Sequence, residues 1–97
     1  MFVGTIKIEL FIPGCKSLKD KRRIINSIKD KVRAKYNVSI AEVGFQEKWQ
    51  RTTIGVSIVN NKENDVSIMC QKILELFFDN DDFIVLENKN SIFSIKE

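Results

Sequence analysis

The side chains able to do chemistry gather in one short stretch of this 97-residue chain, Pro13-Gly14-Cys15-Lys16-Ser17-Leu18-Lys19-Asp20-Lys21-Arg22-Arg23. Free backbone N–H groups at a helix start, flanked by cations, favour an anion. Residues 16–35 hold nine Lys/Arg against two Asp, a local +7 within a net charge of +3, so the remaining residues carry −4. Surface charge that only solvates a helix usually mixes signs, with Glu set to pair with Lys. Here Asp20 and Asp30 alone oppose the bases. The chemistry on offer is contact with a polyanion, with Lys16, Ser17, Lys19, Lys21, Arg22, Arg23, Lys29 and Arg33 as the candidate contacts.

Other chemistries find less support. Gly14-Cys15-Lys16-Ser17 has the ending of a triphosphate-binding loop, but Cys15 stands where Gly must precede the Lys and Leu10 where the earlier Gly belongs. The chain has no His, so a His-based triad or zinc site within it is excluded. Cys15 and Cys70 read as two reduced thiols. A nucleophilic Cys15, activated by the helix start, is the sharper alternative, but no base accompanies it. Glu42 interrupts an apolar strand without a second acid or a metal ligand. Its expected work is a salt bridge, to Arg51 across a hairpin or to a base on the helix, and not general-base catalysis. An enzyme is not expected, nor a cofactor or a metal.

The elements that position these residues follow from periodicity. Phe2–Ile12 alternates, with Ile6, Ile8, Leu10 and Ile12 on one side and Thr5, Lys7, Glu9 and Phe11 on the other, a strand with one face on a core. Pro13-Gly14 ends it. Ser17 reads as an N-cap with Asp20 three residues on. At 100° per residue Leu18, Ile24, Ile25, Ile28, Val32 and Tyr36 share one arc opposite the basic stripe, and Asn37 stops the helix. Lys21 falls toward the apolar side, so its stem is expected to pack while its ammonium reaches solvent. Val38–Phe45 and Trp49–Val59 form a hairpin with its tip at 46–48. Asn60-Asn61 caps a second helix to about Phe78, and Phe83–Glu87 is a fourth strand. Residues 92–95 either continue it after a bulge or fold back as a fifth.

The order βαββαβ predicts a single α+β domain over 1–97, a ferredoxin-like sandwich with a four-stranded antiparallel sheet in the order 4-1-3-2 and two helices on one face. Thr5, Lys7, Glu9, Phe11, Thr53 and Ser57 are expected on the open face. No apolar run approaches the ~20 residues needed to span a bilayer, and no signal-peptide pattern opens the chain, so a cytoplasmic location is expected. A membrane-surface role for the basic helix is disfavoured, because its apolar arc is needed for the core.

Pro13-Gly14 with Ser17-Leu18-Lys19-x-Lys21-Arg22-Arg23, then Asn37-Val38-Ser39-Ile40-Ala41-Glu42-Val43, then Trp49-Gln50, resembles the bacterial YlxP-like family, a small family of unknown function. The likeness runs over nearly the whole chain. It implies a ferredoxin-like fold and a setting in translation, because relatives often lie beside genes for ribosome-binding factor A and a translation initiation factor. Carried over, the family's basic helix start falls on Ser17, Lys19, Lys21, Arg22 and Arg23, and its hairpin signature on Glu42, Gln46, Trp49 and Gln50. Gly44-Phe45 stands where relatives more often carry polar residues, and Asn88–Ser91 is an Asn-rich departure.

The first reading is thus a non-catalytic module associated with RNA or the ribosome, holding phosphates through the first helix. No base-reading RRM or KH motif occurs, so recognition would be of backbone shape. Trp49 either stacks on a base or anchors the hairpin on Phe45 or on a partner chain. The reading from another class is a homodimeric protein–protein adaptor using the open sheet face and the Trp49 hairpin.

Overall fold

The structure, a computed structural model, describes residues 1–96. Strand β1 (Phe2–Phe11) leads into helix α1 (Leu18–Lys35), then β2 (Ser39–Gly44), β3 (Arg51–Asn60), helix α2 (Glu63–Phe78) and β4 (Ile84–Ser94). The sheet runs β2-β3-β1-β4 with every neighbouring pair antiparallel, the ferredoxin-like sandwich expected from the element order.

Both helices lie on one face because the period-two strands bury one side only. Ile6, Ile8, Leu10 and Ile12 of the β1 segment meet Ile54, Val56 and Ile58 of β3, and Ile24, Ile25, Ile28 and Val32 of α1 close over them. From α2 come Val66, Cys70, Ile73 and Phe77, the last with its ring 6.0 Å from that of Phe83. Ser17 is the N-cap of α1, its Oγ accepting from the Asp20 N–H at 3.0 Å, while Asp20 Oδ2 accepts from the Lys16 N–H at 3.3 Å. Helix α1 ends two residues earlier than Asn37, at Lys35, where Tyr36 turns extended and returns its N–H to the Val32 carbonyl. Asn60 does not cap α2 directly. Its Oδ1 accepts from the Lys62 N–H, and Lys62 takes the cap position without a side-chain bond. Glu63 and Asp65 in the first turn offset that loss by facing the positive end of the helix dipole.

The last segment resolves as one strand. Asn88 and Asn90 pair with Ile8 and Ile6 rather than looping out, and Ile92 reaches Gly4. The bulge lies earlier than Asn88–Ser91: Leu86 is the extra residue between Val85, opposite Leu10, and Glu87, opposite Glu9. An edge strand tolerates Asn because the central partner β1 supplies its hydrogen bonds and no second neighbour demands a fit.

The expected open-face residues lie on the uncovered side. Thr53 departs from them in exposure: it is 3 % exposed, held between Glu9 and Gly44 on the adjoining strands.

Gly4 sets how closely α2 approaches β1. A Cβ there would stand 2.5 Å from Val66 Cγ1 and 3.3 Å from Cys70 Sγ. Gly4→Ala should therefore cost about 1–3 kcal/mol by overpacking. Urea unfolding measures it, and adding Val66→Ala to Gly4→Ala should return part of the loss, because the clash partner is removed.

Candidate functional site

Helix α1 presents the basic stripe on the side turned away from the sheet. Lys16, Lys19, Arg22, Arg23 and Arg33 are exposed, and Ser17 and Lys29 are half-buried. Among the described residues there are three ion pairs, Lys21–Glu42, Arg51–Glu9 and Lys89–Glu87, so α1 contributes one cation to them. Arg33 also spends one nitrogen on the chain, Nη2 donating to the Ile40 carbonyl at 3.3 Å and fastening α1 to β2. The rest of the stripe has no carboxylate partner among the described residues.

Lys21 leaves the candidate set. It is 2 % exposed, and its Nζ donates to Glu42 Oε2 at 2.7 Å and to the Phe45 carbonyl at 2.6 Å. The ammonium does not reach solvent, because the side chain is directed under the β2–β3 connection, where a carboxylate and a carbonyl satisfy it. Glu42 accepts a further bond from Thr52 Oγ1 at 2.6 Å. The carboxylate thus pairs with a base on the helix, not with Arg51, which instead donates to Glu9 Oε2 at 2.9 Å. Glu42 is a structural anchor rather than a surface contact. Sequence could have signalled this: Lys21 sits on the apolar arc of its helix, and Glu42 on the core-facing side of its strand opposite Ile54.

The connection from Phe45 to Gln50 is built on the same anchor. Phe45 has φ 57°, the left-handed region uncommon for a residue with a side chain. Its carbonyl accepts both the Lys21 ammonium and the Lys48 N–H, which over-determines the turn. Gln46 stands exposed at the tip. The third strand begins at Arg51, later than Trp49, because Gln50 turns toward the β1–α1 loop. The Gln50 carbonyl accepts from the Ile12 N–H at 2.8 Å, and Nε2 donates to the Pro13 and Cys15 carbonyls at 3.3 and 3.4 Å. Gln50 is therefore also a clamp, bringing the α1 N-terminus and the hairpin to one end of the molecule.

That end carries a feature the sequence did not reveal. A cleft of about 700 Å³ opens on the sheet side, walled by Phe11, Phe45, Trp49, Arg51 and Leu86. Arg51 lies over the Phe45 ring, 4.8 Å from its centroid. Trp49 is 52 % exposed on its wall rather than packed into the core. The signal was the bulge at Leu86, which spacing alone did not locate.

Cys15 does not suit a nucleophile. It is 1 % exposed, and its Sγ donates to the Ser17 carbonyl at 3.2 Å. Burial pushes the Cys70 thiol up, away from the reactive thiolate.

Removing one partner of the buried pair should be far costlier than removing both. Glu42→Ala leaves Lys21 with a single carbonyl and should lose about 3–5 kcal/mol, whereas Lys21→Met with Glu42→Leu should recover most of it. A double-mutant cycle by denaturant unfolding measures the coupling.

Comparison with known proteins adds the family. The uncharacterised protein YlxP of Bacillus subtilis (strain 168) is 36% identical over 72 residues, 74% of this chain and 78% of that protein. Among solved structures, LarC2, the C-terminal domain of a cyclometallase involved in the synthesis of the NPN cofactor of lactate racemase, in its apo form, aligns with a TM-score of 0.48 at 13% identity. That alignment takes in 96% of this chain and 55% of the other. A de novo designed protein with a ferredoxin fold aligns with a TM-score of 0.46 at 10% identity, over 98% of this chain and 88% of the design. The family model described as "Protein of unknown function (DUF503)" matches residues 3–89, so the chain belongs to that family and is YlxP-like over most of its length.

Proposed function

We propose that this chain is a non-catalytic RNA-associated module that holds the phosphate backbone along the outer face of α1. One observation carries the reading: the exposed cations Lys16, Lys19, Arg22, Arg23 and Arg33, with the half-buried Lys29, have no carboxylate partner among the described residues. Ser17 stays in the set through the first turn it caps, whose free N–H groups sit among those cations. Lys21 is excluded, since its charge is already consumed inside the fold. The setting in translation implied by the YlxP-like resemblance makes structured or ribosomal RNA the preferred polyanion. Contacts of this kind position a backbone and read no base, so affinity follows shape and salt rather than sequence.

Titrating the protein with a labelled structured RNA across salt concentration tests this. Log affinity should fall with log salt at about 0.7 per phosphate contacted. Arg22→Glu with Arg23→Glu should flatten that slope by on the order of 1.4, two contacts' worth. Lys21→Met with Glu42→Leu should leave the slope unchanged while altering stability. A slope indifferent to the arginines, or no binding tighter than micromolar at low salt, overturns the proposal.

A further inference from the structure

The uncovered sheet face is arranged in rows across the strands. Lys7 of β1 lies opposite Lys89 of β4, and the next row places Glu9 opposite Glu87. On one side of this charged band come Thr5, Ser57 and Ser91, then Val3, Val59 and Phe93. On the other come Leu86, at the bulge beside the Glu row, then Phe11, Arg51 and Ile84 and, beyond them, Trp49 on the far wall of the cleft. Val59 is 58 %, Phe93 46 %, Ile84 54 %, Leu86 49 % and Trp49 52 % exposed, more apolar surface than scattered surface residues account for.

We propose that this face binds a second copy of the chain, across a two-fold axis that runs perpendicular to the strands between the Lys7–Lys89 row and the Glu9–Glu87 row. Rotation about that axis lays each row on the row equally distant on the other side. Lys7 then meets the partner's Glu9, a carboxylate that Arg51 holds at 2.9 Å within each copy, and Lys89 meets the partner's Glu87. Two rows further out, about 14 Å along the strands at roughly 7 Å per row, the Val59 end meets the Trp49 end of the other copy. One row out, Thr5, Ser57 and Ser91 meet Phe11, Arg51 and Ile84, so the self-complementarity lies in the charged band and in the apolar ends, which a face built for a polyanion does not need. A phosphate laid on the Lys row would have the Glu row as its neighbour.

Twist rotates packed sheets by about 30° relative to one another, and the rows beside the axis move least. Those are the charged rows that set the register. Within one copy the Lys89–Glu87 pair is long, 3.5 Å, with side chains 75 % and 53 % exposed, so both groups are free to exchange partners. The footprint, about 33 Å of strand by about 19 Å of sheet width, is on the order of 600 Å² before side-chain relief, close to the ~800 Å² per partner of a standard interface. Helix α1 lies on the opposite side of the sheet and stays uncovered in such a dimer.

Sedimentation velocity on the full chain, at micromolar to hundred-micromolar loading, tests the proposal. The wild type should sediment at about 22 kDa, twice the 11.2 kDa of one chain. Lys7→Glu with Lys89→Glu makes the band wholly acidic, and Glu9→Lys with Glu87→Lys makes it wholly basic. Each variant alone should be monomeric with an unchanged far-ultraviolet spectrum, and an equal mixture of the two should regain the dimer mass. Glu87→Lys and Lys89→Glu, both at exposed edge-strand sites, repeat the comparison should a double variant fail to fold. Arg22→Glu with Arg23→Glu should leave the dimer intact. A wild type monomeric at every loading overturns the inference. So does a dimer that survives both reversals, which would place the contact at a strand edge, or a monomer whose RNA binding is lost on the same reversals.

Discussion

One buried ammonium ties the two working parts of this protein together. Lys21 Nζ satisfies Glu42 and the Phe45 carbonyl at once, joining the first turns of α1 to the end of β2. An ion held away from water must be met on several sides or it neutralises, so this contact constrains both elements in direction as well as distance. The left-handed Phe45, the Gln50 clamp on the β1–α1 loop and the placement of Trp49 on the cleft wall all follow from where that carbonyl has to be.

Much of the fold was legible because its signals are periodic. The alternation in Phe2–Ile12, the apolar arc of α1 and the Ser17 cap each rest on one local rule, and order and topology followed from them. The ends were less legible. Trp49 and Gln50 carry strand-like neighbours, yet Gln50 is held by bonds to residues 12–15, which no local pattern contains. Asn88 and Asn90 look like loop residues and lie in a strand because β1 offers them partners. Lys21 was misplaced for the same reason: a helical wheel gives a direction but not what waits there, and the acceptors come from residues 42 and 45.

The two faces of the sandwich solve opposite electrostatic problems. Along the outer face of α1 like charges accumulate without a carboxylate partner among the described residues, a cost in self-repulsion that the fold tolerates because the helix is held by its apolar arc and by the Ser17 cap. Across the sheet, cations and carboxylates alternate by row, so the band is close to neutral overall. Within about a Debye length of the surface, ~8 Å at physiological salt, the helix presents a positive potential, while the opposed rows of the sheet largely cancel one another.

That difference separates the surfaces by kind of partner. On the function proposed above, a polyanion is steered by net charge, which the outer face of α1 supplies. A partner that fits the sheet must instead match positive and negative rows one by one at contact distance, beside apolar ground at both ends. Few surfaces satisfy so particular a sequence of rows, and the chain itself, turned over, is one that does. The fold therefore leaves its sheet bare without exposing an indiscriminate apolar plate: in the dimer proposed above, the charged band favours the register that sets Lys rows on Glu rows and opposes the one that sets like on like.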